Sequence, residues 1–400
     1  MRDQVVASKR VAAIPVRDEE DRIADCLIAL DAQRGPRLDH VVLLLNNCTD
    51  ATADLARSLA PRLSFGLTCA ERHYPQSEAH AGNARREAMR LAAEIAGADG
   101  ILFTTDADGR VDPDWLATNL AALAAGADVV CGRALIDPVE AMAIPSHLHD
   151  DDAEEVAYAT QLDRIHDLVD PDPHDPWPRH TEHSGASIAV TVDAWARAGG
   201  VPALSSGEDR GFLAALRRVD VPIRHAPEVK VVVSGRTSGR APGGMAETMA
   251  RRMICQDEML DDNLELPADC LRRATARAGL RTLFDLHRAT AGSHSHTMPV
   301  SSCTTLARLV GLPPDLIVRW LDQPFFGAAW SRLEAESPNL VRRQVPRGAI
   351  ARHRAEAEAI IGSLLLARPN GVHSALQPAA PGRVVSNGQR VSSRDAVVLS

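Results

Sequence analysis

The chain opens on an apolar run, "KRVAAIPV", followed by a segment in which Ile23, Leu27 and Leu30 recur at spacings of four and three. The first pattern predicts a buried strand and the second a helix with one apolar face. The alternation continues. "HVVLLLNN" predicts a strand, "TDATADLARSLA" a helix, and "AGNARREAMRLAAEIAG" a helix with Ala84, Ala88, Leu91 and Ile95 on one face and a stop at glycine. "GILFTT" predicts a strand. "DPDWLATNLAAL" predicts a helix through Leu116, Leu120 and Leu123, and "ADVVCGRAL" a further strand. The strands are apolar throughout rather than half polar, so they predict a mostly parallel sheet covered by helices on both faces, an α/β fold.

Asp18 and Asp21 mark an expected helix start, with acids in the first turn complementing the dipole. From Ile136 to His183 the periodicity fails. Acids, prolines and six histidines predict an insertion of about 136–183 over the rim of the sheet, with one helix over "DAEEVAYATQLDRIHDLV". Regular patterns resume at "ASIAVTVDAWARAGG", "GEDRGFLAALRRV" and "VPIRHAPEVKVVVSGR". The expected organisation is an α/β domain over 1–240, a helical C-terminal extension over 241–368 and a flexible tail over 369–400.

Composition narrows the class. The chain has 400 residues, a formal net charge of -9 and only 3% aromatics, so its core is built mainly from Ala, Val and Leu. An acidic chain of this kind argues against phosphate-driven nucleic-acid binding. Seven scattered cysteines with no Cys-x-x-Cys pair predict reduced thiols and a cytoplasmic setting. No apolar run approaches the roughly 20 residues that span a bilayer, so no integral membrane segment is expected. Oligomeric state is not legible.

The candidate chemistry sits at "ILFTTDADGRVDPDWL". On extended chain, residues two apart point to the same side, so Asp106 and Asp108 can aim at one hard cation where a buried strand ends. An EF-hand is excluded, since Arg110, Val111 and Ala117 stand where that loop needs oxygen, glycine and carboxylate. The other reading is a solvated turn with Asp112 or Asp114 capping the next helix. "SGED" places Glu208 and Asp209 at a second helix start, where they either complement a dipole or act on a proton. Histidine pairs at His147 and His149, and within "HSHT" at 294–297, lack a third metal ligand at a convincing interval.

"VAAIPVRDEEDRIADCLIALDAQ", "NNCTDATADLA", "AGNARREAMRLA", "ILFTTDADGRVDPDWL" and "SGASIAVTVDAWARAGGVPALSSGEDRGFLAALRRVDVPIRHAP" occur in the order seen in family 2 glycosyltransferases. Over about residues 10–240 the chain resembles that family, whose GT-A fold is Rossmann-like. The resemblance implies a metal-dependent transfer of sugar from a nucleotide-diphosphate donor to an acceptor hydroxyl, with inversion. It places Mg²⁺ or Mn²⁺ at Asp106 and Asp108, with His225 as a further ligand.

It makes Asp209 the general base, with Glu208 beside it. It assigns Pro15, Arg17, Glu19, Asn46, Arg85 and Asp106 to the donor; Arg86 at a helix start, and Arg236 and Arg240 in a Gly/Ser-rich loop, are further candidates for that donor. Asn46 replaces the usual aspartate of the base site, and Arg17 and Asp18 depart from the usual pattern. His183 and Trp177 are candidates for the acceptor, which would be a small molecule, a glycan or a lipid precursor. A retaining transferase of the same fold, a sugar-phosphate nucleotidyltransferase and a non-catalytic nucleotide-sugar-binding protein remain alternatives. The second would need a glycine-rich basic loop where "IPVRDEED" is acidic.

Overall fold

The computed structural model describes residues 8–237, 239, 245–290 and 300–367. Arg240, the "HSHT" histidines and the segment 369–400 lie outside the described residues.

The apolar runs form strands β1 (Arg10–Val16), β2 (His40–Asn46) and β4 (Ile101–Thr104), with β3 (Gly66–Arg72) at the edge. Helices α1 (Ile23–Asp31), α2 (Thr52–Leu59), α3 (Ala81–Ala96) and α4 (Trp115–Ala124) alternate with them. Then follow β5 (Arg110–Val111), β6 (Val129–Ile136), the short α5 (Pro138–Ala141), α6 (Ser146–Val169), β7 (Ile188–Thr191), α7 (Val192–Arg197), α8 (Glu208–Arg218) and β8 (Ile223–Val233). The sheet runs in the order β3-β2-β1-β4-β7-β6-β8-β5.

β1, β2, β3 and β4 pair in parallel, as do β6 and β8. β7, however, runs antiparallel between β4 and β6, and β5 is antiparallel to β8. The sheet is therefore mostly parallel, as the sequence predicts, with β7 and β5 as the reversed strands.

Both faces are covered. α1 and α4 bury Ile23, Leu27, Leu30, Trp115 and Leu116 against one face with Ile14, Leu43 and Phe103. α3 and α8 bury Ala84, Ala88, Met89, Phe212 and Leu213 against the other with Leu44, Leu102 and Val190. Trp115 is fully buried, and its indole N–H donates to Ser187 Oγ at 2.8 Å, which satisfies the polar end of a large apolar group.

The helix predicted from Asp18 begins instead at Ile23. Asp18 takes a left-handed φ of 50° and its carboxylate accepts from Thr49 N–H at 2.7 Å, so it ties two loops rather than capping a helix.

The C-terminal helices are α9 (Met245–Ile254), α10 (Pro267–Thr290), α11 (Thr304–Val310), α12 (Pro314–Leu321), α13 (Phe326–Glu336) and α14 (Ile350–Ala367). α10 to α13 close one core around Leu280, Ile317, Leu321 and Leu333. A second core joins Tyr158, Leu162 and Ile165 of α6 to Leu260, Cys270, Ile350 and Ala357. The insertion helix thus packs on the C-terminal layer. Asp220 completes the docking: its carboxylate accepts from Phe326 and Gly327 N–H, both at 2.7 Å, at the start of α13.

Candidate active site

Three adjacent parallel strands end together. Asn46 closes β2, Glu19 follows β1, and Asp106 and Asp108 follow β4. Ligands of open α/β sheets bind beyond such carboxyl ends.

Asp106 and Asp108 differ in surroundings. Asp106 accepts from Arg85 at 2.6 Å and its side chain remains 36% exposed. Asp108 is more enclosed and lies 3.1 Å from Arg236. Burial, and then the charge of Asp106, push the Asp108 carboxyl up to about 6, while Arg236 opposes the rise. Arg236 also grips Glu19 with both terminal nitrogens, at 2.8 and 2.5 Å, so one guanidinium spans Glu19 and Asp108. Glu19 is itself buried, and its N–H donates to Thr52 Oγ1 at 2.7 Å.

Arg85, on the first turns of α3, is 5% exposed. Its guanidinium donates to Asp106, to Thr104 Oγ1 at 2.7 Å, to the Gly185 carbonyl at 2.9 Å and to Glu208 at 3.2 Å. The sequence reading gave Arg85 a contact with the donor. The guanidinium lies beneath the acids, bonded to Asp106, Thr104, Gly185 and Glu208. A Cβ on Gly185 would come within 2.6 Å of Arg85 Cζ, so only glycine admits the guanidinium. A Cβ on Gly82 would meet the Leu204 carbonyl at 2.0 Å, and this close approach brings α3 against the loop leading to α8.

Gly207, in the left-handed region at φ 69°, turns the chain into α8. Glu208 and Asp209 then diverge. Glu208 is buried on Arg85, whereas Asp209 is half-buried and, among the described residues, accepts only from backbone N–H groups, those of Gly185 at 3.0 Å and Arg210 at 2.7 Å. Asp209 is thus fixed in place without being neutralised by a side-chain cation.

Of the remaining candidates, Pro15 sits in β1 opposite Leu44. Arg17 donates to the Ala79 carbonyl at 2.9 Å. Asn46 is 2% exposed, and its Oδ1 is buried with no protein partner, as is Thr105 Oγ1. Arg86 is exposed.

His225 is corrected. It pairs through Nδ1 with Asp175 at 2.7 Å and stacks near His180 and His183, with ring centroids 5.6 and 5.3 Å away. It lies on β8, three strands across the sheet from β4, and Arg236 rather than a histidine stands against Asp108. Trp177 is half-buried, with Arg164 of α6 over its ring at 4.8 Å from the centroid. His183 accepts from Arg217 at 3.0 Å and sits two residues from Gly185, close to Asp209.

Thr104, Gly185, Asp175 and Arg217 escape sequence reading. Only the glycine before a strand, in "HSGAS", offers a signal.

Residues 12–170 match the model of glycosyl transferase family 2. They form a family 2 glycosyltransferase domain. A search of curated proteins finds no match. Among solved structures, the chain is similar to TarS 1-349 from S. aureus in complex with UDP, at 14% identity and a TM-score of 0.42, covering 91% of this chain and 93% of that one. It is similar to the mannosyltransferase PcManGT from Pyrobaculum calidifontis in complex with GDP-Man and Mn²⁺, at 16% identity and 0.39, covering 90% and 87%. A third is glucosyl-3-phosphoglycerate synthase from Mycobacterium tuberculosis, at 14% identity and 0.38, covering 64% and 80%. Likenesses of this size assign no role to any residue of the transferase. No helix among the described residues is long and apolar enough to cross a membrane.

Proposed function

We propose that the chain transfers a sugar from a nucleotide-diphosphate donor to an acceptor hydroxyl, with inversion and with a divalent ion at Asp106 and Asp108. One observation carries the reading. The buried Arg85 guanidinium bonds both Asp106 and Glu208, so the acids after β4 and the acid pair opening α8 belong to one site.

The residues suit such an ion. The donors are oxygens only, which hard divalent cations prefer. Burial raises Asp108 and the charge of Asp106 adds to the rise, so a cation there is favoured, and Arg236 already supplies a positive group to Asp108. Bound there, the ion would draw charge off the departing diphosphate.

The protein's own groups account for the rest. Asn46 Oδ1, buried and unpaired, is an acceptor for a base N–H, and the amide can also donate. Arg236 is a cation beside the diphosphate position. Asp209, held by two backbone N–H groups, takes the proton of the acceptor hydroxyl as that oxygen bonds to the anomeric carbon. The bond from that carbon to the diphosphate oxygen breaks, and the electron pair leaves with the nucleotide. Attack from the face opposite the leaving group inverts the anomeric centre.

The test is a panel of nucleotide sugars screened by thermal shift with and without Mn²⁺. One donor raises Tm only with the metal present, because a ligand of the native state stabilises by mass action. Asp106→Asn and Asp108→Asn each abolish that rise. A well-folded protein indifferent to every donor, or a rise surviving both substitutions, would overturn the reading.

A further inference from the structure

Next to Asp209, between α6, α8 and the 175–183 segment, lies a group of charged side chains that the transfer step does not use. Four arginines meet three aspartates there. Arg179 forks onto Asp163 at 2.7 and 2.8 Å. Arg164 takes Asp167, and Arg224 lies 3.3 Å from Asp175. Asp175 is further engaged by His225, through its N–H at 2.8 Å and its ring at 2.7 Å. Arg217 is the fourth, and no ion pair involves it among the described residues. Its one hydrogen bond there is to the ring nitrogen of His183.

That bond sets the histidine. A guanidinium can only donate, so His183 Nε2 accepts, and the neutral ring carries its proton on Nδ1. Burial, then the charge of Arg217, hold His183 down to about 2, so it stays neutral and offers an N–H. Arg217 is solvent-accessible, yet the protein packed around it desolvates the guanidinium and lowers its pKa. His225 is 6% exposed, its ring is 5.3 Å from His183, and its Nε2 has no partner among the described residues. The nearby cation of α8, Arg210, is already matched by Asp261 at 3.1 Å and Asp262 at 3.5 Å. The excess positive charge therefore belongs to Arg217.

Resting on the transferase reading, we propose that the acceptor carries an anionic group, phosphate or carboxylate, received by Arg217 and His183. The placement fits. His183 stands two residues from Gly185, whose N–H holds Asp209, a span of about 7 Å of extended chain. A small acceptor can thus anchor its anion on Arg217 and present a hydroxyl to Asp209. Arg rather than Lys at this point allows a planar, two-pronged grip on either anion.

The test titrates inorganic phosphate and, separately, acetate into the full chain by calorimetry, comparing the native protein with Arg217→Gln and Arg217→Lys. Melting curves confirm that each variant folds. The native chain binds one of the anions saturably, Arg217→Gln weakens that binding at least tenfold, and Arg217→Lys keeps part of it. Stronger binding of phosphate than of acetate marks a phosphorylated acceptor; the reverse marks a carboxylate. Binding of neither anion, or binding unchanged in Arg217→Gln, overturns the proposal. Metal-dependent stabilisation by a nucleotide sugar is read in a separate melt. Its absence with anion binding intact would sink the transferase reading alone.

Discussion

Arg85 donates to Asp106 across 2.6 Å, and the same guanidinium reaches Glu208 at 3.2 Å. Two acids more than a hundred residues apart in sequence are thereby held on one buried cation. A buried charge that loses its partner is costly, typically about 3–5 kcal/mol. Arg85→Ala strands Glu208 in that state. It should lower stability by about 3 kcal/mol in urea unfolding and remove donor binding. Arg85→Lys should recover much of the stability but not the turnover, because one ammonium cannot reach four acceptors in a plane. Full activity in the lysine variant would show that the planar hub is dispensable.

Gly185→Ala tests the same hub from outside. Its Cβ would displace the guanidinium from 2.6 Å, while the backbone of Gly185 has no left-handed strain to relieve. We expect a loss of about tenfold or more in kcat/KM, equivalent to roughly 1.4 kcal/mol of transition-state stabilisation. An unchanged rate would mean that Arg85 has room to move.

Asp209→Asn keeps the shape of the side chain and removes its basicity. General-base catalysis contributes about 10²–10⁴-fold, and the variant should fall by that factor in kcat with little change in donor affinity. Proton NMR of the product gives the anomeric configuration directly. A retained configuration would exclude inversion whatever the rate.

Acid should unfold this protein through its histidines. His166 is pushed down to about 3, first by burial and then by Arg277 and Arg273, from an ordinary value of 6.5. Below 6.5 the unfolded chain takes up a proton that the folded chain refuses. The contribution is complete above pH 6.5 and is lost as pH falls toward 3. The slope for one such group approaches about 1.4 kcal/mol per pH unit. Replacing His166 with Gln should flatten urea midpoints measured between pH 7 and pH 5. A pH dependence identical to that of the native chain would place the lability elsewhere.

Much of the frame was legible in the chain. β1, β2, α3 and β4 stand where apolar runs and helical spacing put them, because each buries a full face. β3 was not read, since Gly66–Arg72 lies at the sheet edge with half-exposed residues and no clear alternation. β5 is two residues long and leaves no period to detect. α6 begins at Ser146, six residues before the start predicted from its acids, because its first turns are polar and carry no apolar stripe to read.

At the site, the strand-end aspartates and the Glu-Asp pair could be picked out as residue types. Their partners could not. Nothing local links Arg85 to Glu208, or His225 to Asp175, since both pairs form only when distant strands assemble. Arg217 reads in sequence as an ordinary helical arginine. Its meaning comes from a count of charges brought together by four separate segments.

The packing of α6 on the C-terminal helices has a practical reach. Tyr158, Leu162 and Ile165 are covered by side chains that come after residue 255. A chain ended at 240 would open a greasy stripe along this helix and loosen the loop that carries His180, His183 and Gly185. Whoever seeks a minimal catalytic fragment here should expect insoluble material, and should keep the helices through 367 instead.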